Sequence, residues 1–134
     1  MPVAKSDVIT VQSEHDVVLA RQTVRRLAQE LGFGIVDQTK IVTAASELAR
    51  NVVVYGRGGE MRWETLTEGP RVGLRLHFVD NGPGIADLKL AMTDGWTSGS
   101  GLGLGLSGAR RLVNDFEIDT APGRGTRVSV TRWK

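Results

Sequence analysis

The chain has no cysteine in its 134 residues, which excludes disulfide staples and thiolate metal sites and fits a reducing cytoplasm. Aromatic residues make up only 5%, too few for the stacking platforms that single-stranded nucleic-acid binders use. No apolar run approaches the roughly eighteen residues of a membrane span. Met1 to Thr10 also lacks the charged start and apolar stretch of a secretory leader. Its 17 basic and 15 acidic side chains are interspersed, leaving a net charge of +2 and no basic stripe. The expectation is a soluble, cytoplasmic protein with no membrane span and no nucleic-acid partner. The two histidines, His15 and His77, fall at a helix start and inside a strand, where structural roles are commonest.

What the chain does have is glycine, 17 residues unevenly placed. Its length suits one core, so residues 1–134 are read as a single domain. Val8 to Val11 reads as a strand. Ser13, three residues before Asp16, opens a helix with Val17, Ala20, Val24, Leu27, Ala28 and Leu31 at helical spacing, ended by Gly32. Asp37 is a plausible cap for a second helix, which carries Ile41, Ala45, Leu48 and Val52 and stops before Gly56. Strands at Glu60–Leu66 and Val72–Val79 flank a turn at Glu68-Gly69-Pro70. In the second of them Val72, Leu74, Leu76 and Phe78 alternate onto one face. An amphipathic piece at Ala86–Met92, a glycine-dense stretch, a helix around Leu106–Phe116 and strands near Glu117–Thr120 and Thr126–Trp133 complete the chain. This order does not alternate as a Rossmann domain would. It predicts an α/β (α+β) two-layer sandwich: a mixed, mostly antiparallel five-stranded sheet with helices on one face.

Three stretches ask for more than packing. Thr43, Glu47 and Asn51 stand at i, i+4 and i+8 on the second helix, so a carboxylate and an amide oxygen share one line. That pair suits a base beside a hard-metal ligand, although alone it reads more simply as a solvated helix face. Asp80-Asn81-Gly82-Pro83-Gly84-Ile85 follows directly on a strand. It is a turn, and equally an acceptor next to backbone that a flat ligand can approach. Gly95, Gly99, Gly101, Gly103, Gly105 and Gly108 crowd fourteen residues just before a helix. Ordering so many glycines is costly unless close approach is needed, and backbone amides in such a loop can hold phosphates. Gly103 to Gly108 matches G-x-G-x-x-G by accident of composition, since no strand precedes it; no lysine follows the glycines as in a P-loop.

Together and in this order, Glu47-x-x-x-Asn51, Asp80-x-Gly82-x-Gly84 and Gly101-x-Gly103-x-Gly105, with Gly125-Thr126 near the C-terminus, resemble the N box and two glycine boxes of the histidine-kinase-like ATPases. This is the GHKL class with the Bergerat ATP-binding fold. Almost the whole chain is similar to its switch serine/threonine kinases of stressosome partner-switching pathways. The resemblance implies ATP and Mg²⁺ as cofactors, with Asn51 on the metal and Glu47 as catalytic base. Asp80 would read adenine, helped through water by Thr126; Gly82, Gly84 and Ile85 would line the base site, and Gly101, Gly103, Leu104 and Gly105 would wrap the phosphates. It also implies a STAS-domain protein as substrate and a PPM-type phosphatase as a partner activated by binding, with Arg21 and Arg25 as candidate contacts. Asn81 departs from the glutamine expected there, at a variable position. No arginine precedes the glycine run, which leaves transition-state charge to Mg²⁺, Arg110 or a partner residue. The rival expectation is an anti-sigma factor or nucleotide-gated sequestering module, against which the retained Glu47 argues.

Overall fold

The structure, a computed structural model, describes residues 3–85, 92 and 105–134. Gly101, Gly103 and Leu104 lie outside the described residues, as does the expected piece Ala86–Met92 apart from Met92. In chain order the elements are β1 (Val3–Val11), α1 (Glu14–Glu30), α2 (Ile35–Val54), β2 (Gly59–Glu68), β3 (Arg71–Asp80), α3 (Leu106–Arg111), β4 (Asp115–Thr120) and β5 (Thr126–Trp133).

The local chemistry of α1 sets both of its ends. Ser13 Oγ accepts from the Asp16 amide at 3.2 Å, and Asp16 Oδ2 accepts from the amide of Gln12, the residue before the cap, at 2.9 Å, a variant of the capping box. At the other end Gly32 turns left-handed at φ +82°. The Phe33 amide donates to Ala28 O and the Gly32 amide to Gln29 O, the paired bonds of a Schellman cap. Phe33 is thereby driven into the core.

The five strands form one sheet in the order β1-β2-β3-β5-β4. All four ladders are antiparallel, so the mostly antiparallel sheet expected from the sequence contains no parallel pair among the described residues. Leu74, Leu76 and Phe78 of β3, with Val128 and Val130 of β5, are buried beneath Ile41, Ala45, Leu48 and Val52 of α2 and Val17, Val24 and Leu27 of α1. The helices thus cover one face. The opposite face is polar: His77 bonds Ser129 Oγ through Nδ1 at 2.7 Å and Glu64 through Nε2 at 2.9 Å, the structural role expected of it.

β2 and β3 run one or two residues past the expected ends, and other boundaries differ where long-range partners outweigh local signals. β1 begins at Val3, since Val3–Asp7 pairs with Trp63–Leu66. The N-cap of α2 is Gly34, and Asp37 sits in the first turn of the helix, where its carboxylate accepts from Arg132 Nη2 at 2.5 Å. α3 ends at Arg111, because Asn114 N donates to Thr131 O and Phe116 faces Val130 in the β4–β5 ladder. Phe116 therefore belongs to a strand that starts two residues ahead of the expected Glu117.

Arg132 is the cross-tie of the helical layer. Its side chain is 15% exposed; Nη1 donates to Leu112 O, the C-cap of α3, at 3.2 Å, while Nη2 holds Asp37. Removing one partner of a largely buried ion pair strands the other charge. Asp37→Ala should cost about 2 kcal/mol in urea unfolding, a value discounted because Asp37 is partly exposed. Leu76→Ala, which opens a cavity in the core, should cost about 3 kcal/mol.

Candidate functional site

Asp80 is the last residue of β3 and lies opposite Thr126, the first of β5. Its carboxylate accepts from the Gly82 amide at 2.9 Å and from the backbone amide of Thr126. Burial raises its pKa above 3.8, and these two amide bonds pull it partly back. The wall behind this carboxylate is glycine. A Cβ on Gly56, two residues past α2, would overlap the Asp80 carboxyl, and one on Gly82 would stand 2.7 Å from Gly56 Cα. One on Gly125, at φ +79°, would run into Asp80 O. Helix end, strand end and hairpin turn therefore meet with no room for a side chain.

The loop beyond Asp80 is clipped to the β4–β5 hairpin. Gly84, at φ +75°, packs on Ala121 O so closely that a Cβ would overlap it; the Gly123 amide donates to Pro83 O at 2.7 Å. Thr120 Oγ1 accepts from the Ile85 amide at 3.0 Å, lies 3.0 Å from Gly125 O and contacts Thr126 Oγ1 at 2.9 Å. One hydroxyl thus holds the loop, the turn and the orientation of Thr126 together.

On α2, Glu47 and Asn51 are both half-buried and one turn apart. Gly105, the left-handed N-cap of α3 at φ +66°, sits against Glu47: a Cβ there would lie 2.7 Å from Oε2. Asn51 O accepts from the amides of Tyr55 and Gly56, so the residue that ends the Glu47 line also shapes the turn delivering Gly56 to Asp80. A single helix thereby connects the start of α3 to the Asp80 cradle. Of the sequence-predicted site residues, Glu47, Asn51 and Gly105 converge on one side, and Asp80, Gly82, Gly84, Ile85 and Thr126 on the other. Arg21 and Arg25 are on α1, half-buried and exposed respectively, apart from both groups in sequence and making no ion pair among the described residues.

Sequence reasoning missed Gly56 and Thr120, and gave Gly125 no role of its own. Gly56 looked like a helix stop; its real constraint is the distant Asp80. Thr120 carries no local signal at all.

These residues fit a nucleotide and a hard cation on structural grounds. The glycine-only junction leaves a directional acceptor flanked by bare backbone, which suits the amine edge of a purine. An amide oxygen and a carboxylate one turn apart are the donor type that magnesium accepts.

Comparison with known proteins shows the family. The family model described as histidine kinase-, DNA gyrase B- and HSP90-like ATPase matches residues 36–134. The chain is 42% identical over 125 residues to the serine/threonine-protein kinase RsbT of Bacillus subtilis, covering 93% of this chain and 94% of that protein. It is 30% identical over 124 residues to the anti-sigma F factor of the same organism, covering 84% and 81%. A crystal structure of the RsbU and RsbW domains of a Mycobacterium tuberculosis protein superposes with a TM-score of 0.63 at 21% identity, over 98% of this chain and 33% of that one, a likeness of fold.

Two measurements test the cradle. Gly56→Ala should lower ATP affinity at least tenfold by titration calorimetry, an effect on the order of 1.4 kcal/mol, whereas Gly34→Ala, whose added Cβ meets nothing within 4 Å, should leave it unchanged. The second concerns pH. The fold holds the Asp80 proton more tightly than the unfolded chain does, so the associated stability is fully present below the ordinary value of 3.8 and is lost as pH rises through the raised value. Asp80→Asn should flatten that window in the pH dependence of urea midpoints. ATP affinity of the wild type should fall as pH drops through the same raised value, because the protonated carboxyl is a poorer acceptor.

Proposed function

The chain belongs to the histidine kinase-, DNA gyrase B- and HSP90-like ATPases and, within them, to the RsbT-like serine/threonine-protein kinases, and from that premise we propose that it phosphorylates a serine or threonine on a STAS-domain protein of a partner-switching pathway. The observation that carries this reading is the placement of Glu47 on α2, against the Gly105 cap of α3 and one turn before Asn51. Phosphoryl transfer needs positioning and charge neutralisation, and a serine hydroxyl is a poor nucleophile until its proton has an acceptor.

In this reading Asp80 accepts the exocyclic amine of adenine, Thr126 assists through water, and Gly82, Gly84 and Ile85 let the ring lie against backbone. Gly101, Gly103, Leu104 and Gly105 enclose the phosphates. Glu47 takes the proton from the incoming hydroxyl as its oxygen bonds to the γ-phosphorus; the bond from that phosphorus to the β,γ-bridging oxygen breaks, and ADP leaves with the electron pair. Asn51 would hold Mg²⁺, which when bound neutralises charge on the phosphate oxygens. A second act, activation of a PPM-type phosphatase by binding, would use a surface such as Arg21 and Arg25 on α1. The likeness to anti-sigma F factors supports an alternative in which the chain chiefly sequesters a partner.

The deciding assay uses labelled ATP, Mg²⁺ and a candidate STAS-domain protein. Wild type should transfer phosphate to a serine or threonine. Glu47→Gln should bind ATP within about threefold of wild type yet lose 10²–10⁴-fold in transfer rate, the usual worth of a general base; Asn51→Ala should lose metal-dependent ATP binding. Tight ATP binding without transfer to any such protein would favour the sequestering module.

A further inference from the structure

Asp80, Thr126 and Thr120 face one another in a row across three strands, β3, β5 and β4. All three lie on the side of the sheet that the helices cover, because they alternate in step with Phe78, Val128 and Ile118, which pack into the core. Asp80 is an acceptor at one end of this row. The direction of the Thr126 hydroxyl decides what stands beside it.

That direction follows from counting protons. A hydroxyl has one proton and two lone pairs, and the contacts of Thr120 use them all. The Ile85 amide donates to Thr120 Oγ1 at 3.0 Å and fills one lone pair. Gly125 O, also 3.0 Å away, is a carbonyl that can only accept, so it takes the Thr120 proton. The remaining contact, with Thr126 Oγ1 at 2.9 Å, then meets the second lone pair of Thr120, and the proton between the two hydroxyls belongs to Thr126. The opposite assignment spends the Thr120 proton on Thr126 and sets lone pair against lone pair at Gly125 O, so it loses a bond that the first assignment keeps.

The consequence lies on the other side of Thr126. Its hydroxyl proton is engaged by Thr120 and its amide by Asp80, so its oxygen presents only lone pairs, next to a carboxylate that also only accepts when ionised. We infer that Thr120 is a positioning residue for base recognition: by holding the Thr126 proton away from the site, it selects a purine with an amine at C6 and no proton on N1. The inference rests on the reading that adenine binds at Asp80. The amine donates to the carboxylate. A water that gives one proton to Thr126 has one left, which an unprotonated N1 accepts and a protonated N1 cannot. Hypoxanthine, with oxygen at C6 and a proton on N1, therefore fails at both contacts. Asp80 enforces the first, and Thr120 enforces the second through Thr126.

Titration calorimetry of the full chain with ATP and with inosine triphosphate tests this. Wild type should prefer ATP by on the order of a hundredfold or more, the effect of two hydrogen bonds lost with polar groups left facing each other. Thr120→Val keeps the shape and removes the hydroxyl. The freed Thr126 proton can then turn to the site and let the water accept from a protonated N1, which should narrow the preference by about tenfold. Thr120→Ser, which keeps the hydroxyl, should retain the wild-type preference. Thr126→Val should narrow it to the same degree as Thr120→Val, and combining the two should narrow it no further. A role for Thr120 in folding alone would weaken both nucleotides equally and leave their ratio in place. An unchanged ratio in Thr120→Val, a narrowed one in Thr120→Ser, or the wild-type preference in Thr126→Val would each overturn the inference; the Thr126→Val arm decides even where Thr120→Val fails to fold. A wild type that binds neither nucleotide, or both alike, would overturn it together with the adenine reading, which the other three outcomes leave standing.

Discussion

The site hangs on a contact that contains no side chain but one. Gly56 from the end of α2, Gly82 from the loop after β3 and Gly125 from the β4–β5 turn close around Asp80 so tightly that a methyl group at any of the three would collide. Close packing of backbone on backbone fixes the carboxylate with no cationic partner among the described residues; burial raises its pKa while two main-chain amides keep it oriented. A carboxylate that accepts two amide hydrogens keeps acceptor capacity for a ligand.

α2 converts that contact into a functional geometry. Its apolar residues Ile41, Ala45, Leu48 and Val52 lock it to the sheet, and this anchoring leaves Glu47 and Asn51 along the flank. Glu47 meets the first residue of the α3 turn; Asn51 closes the turn to Gly56. Arg132 then ties the far end of α3 back to the first turn of α2 through Leu112 and Asp37. Among the described residues, Ile85 is thus clipped by Thr120, and α3 is held by Glu47 at its start and Arg132 at its end.

Much of this was legible in the sequence because it is periodic or local. Val17 through Leu27 and Ile41 through Val52 announced two helices, Leu74 through Phe78 a half-buried strand, and their order predicted helices on one face of a mixed, mostly antiparallel sheet, whose described ladders are all antiparallel. Glu47, Asn51, Asp80 and the glycines were legible only jointly, since each alone has an ordinary explanation. What the sequence did not disclose depends on distant partners. Gly56 has no positive φ to mark it, and its requirement comes from Asp80. Thr120 looks like any strand residue until Ile85, Gly125 and Thr126 gather on its hydroxyl. Asp37 resembled a cap because the attraction of Arg132, 95 residues away, cannot be seen locally; Phe116 continued a helical pattern until the β5 ladder claimed it.

The central claim is that a nucleotide sits where the end of α2, the loop after β3 and the β4–β5 turn converge. Amide hydrogen exchange with and without ATP and Mg²⁺ tests it most directly. The account predicts slowed exchange at Gly82, at Gly125 and Thr126, and through Glu47–Gly56, with the polar face of the sheet around His77 and Ser129 unchanged. Protection confined to that polar face, or none at the convergence while ATP is demonstrably bound, would contradict it.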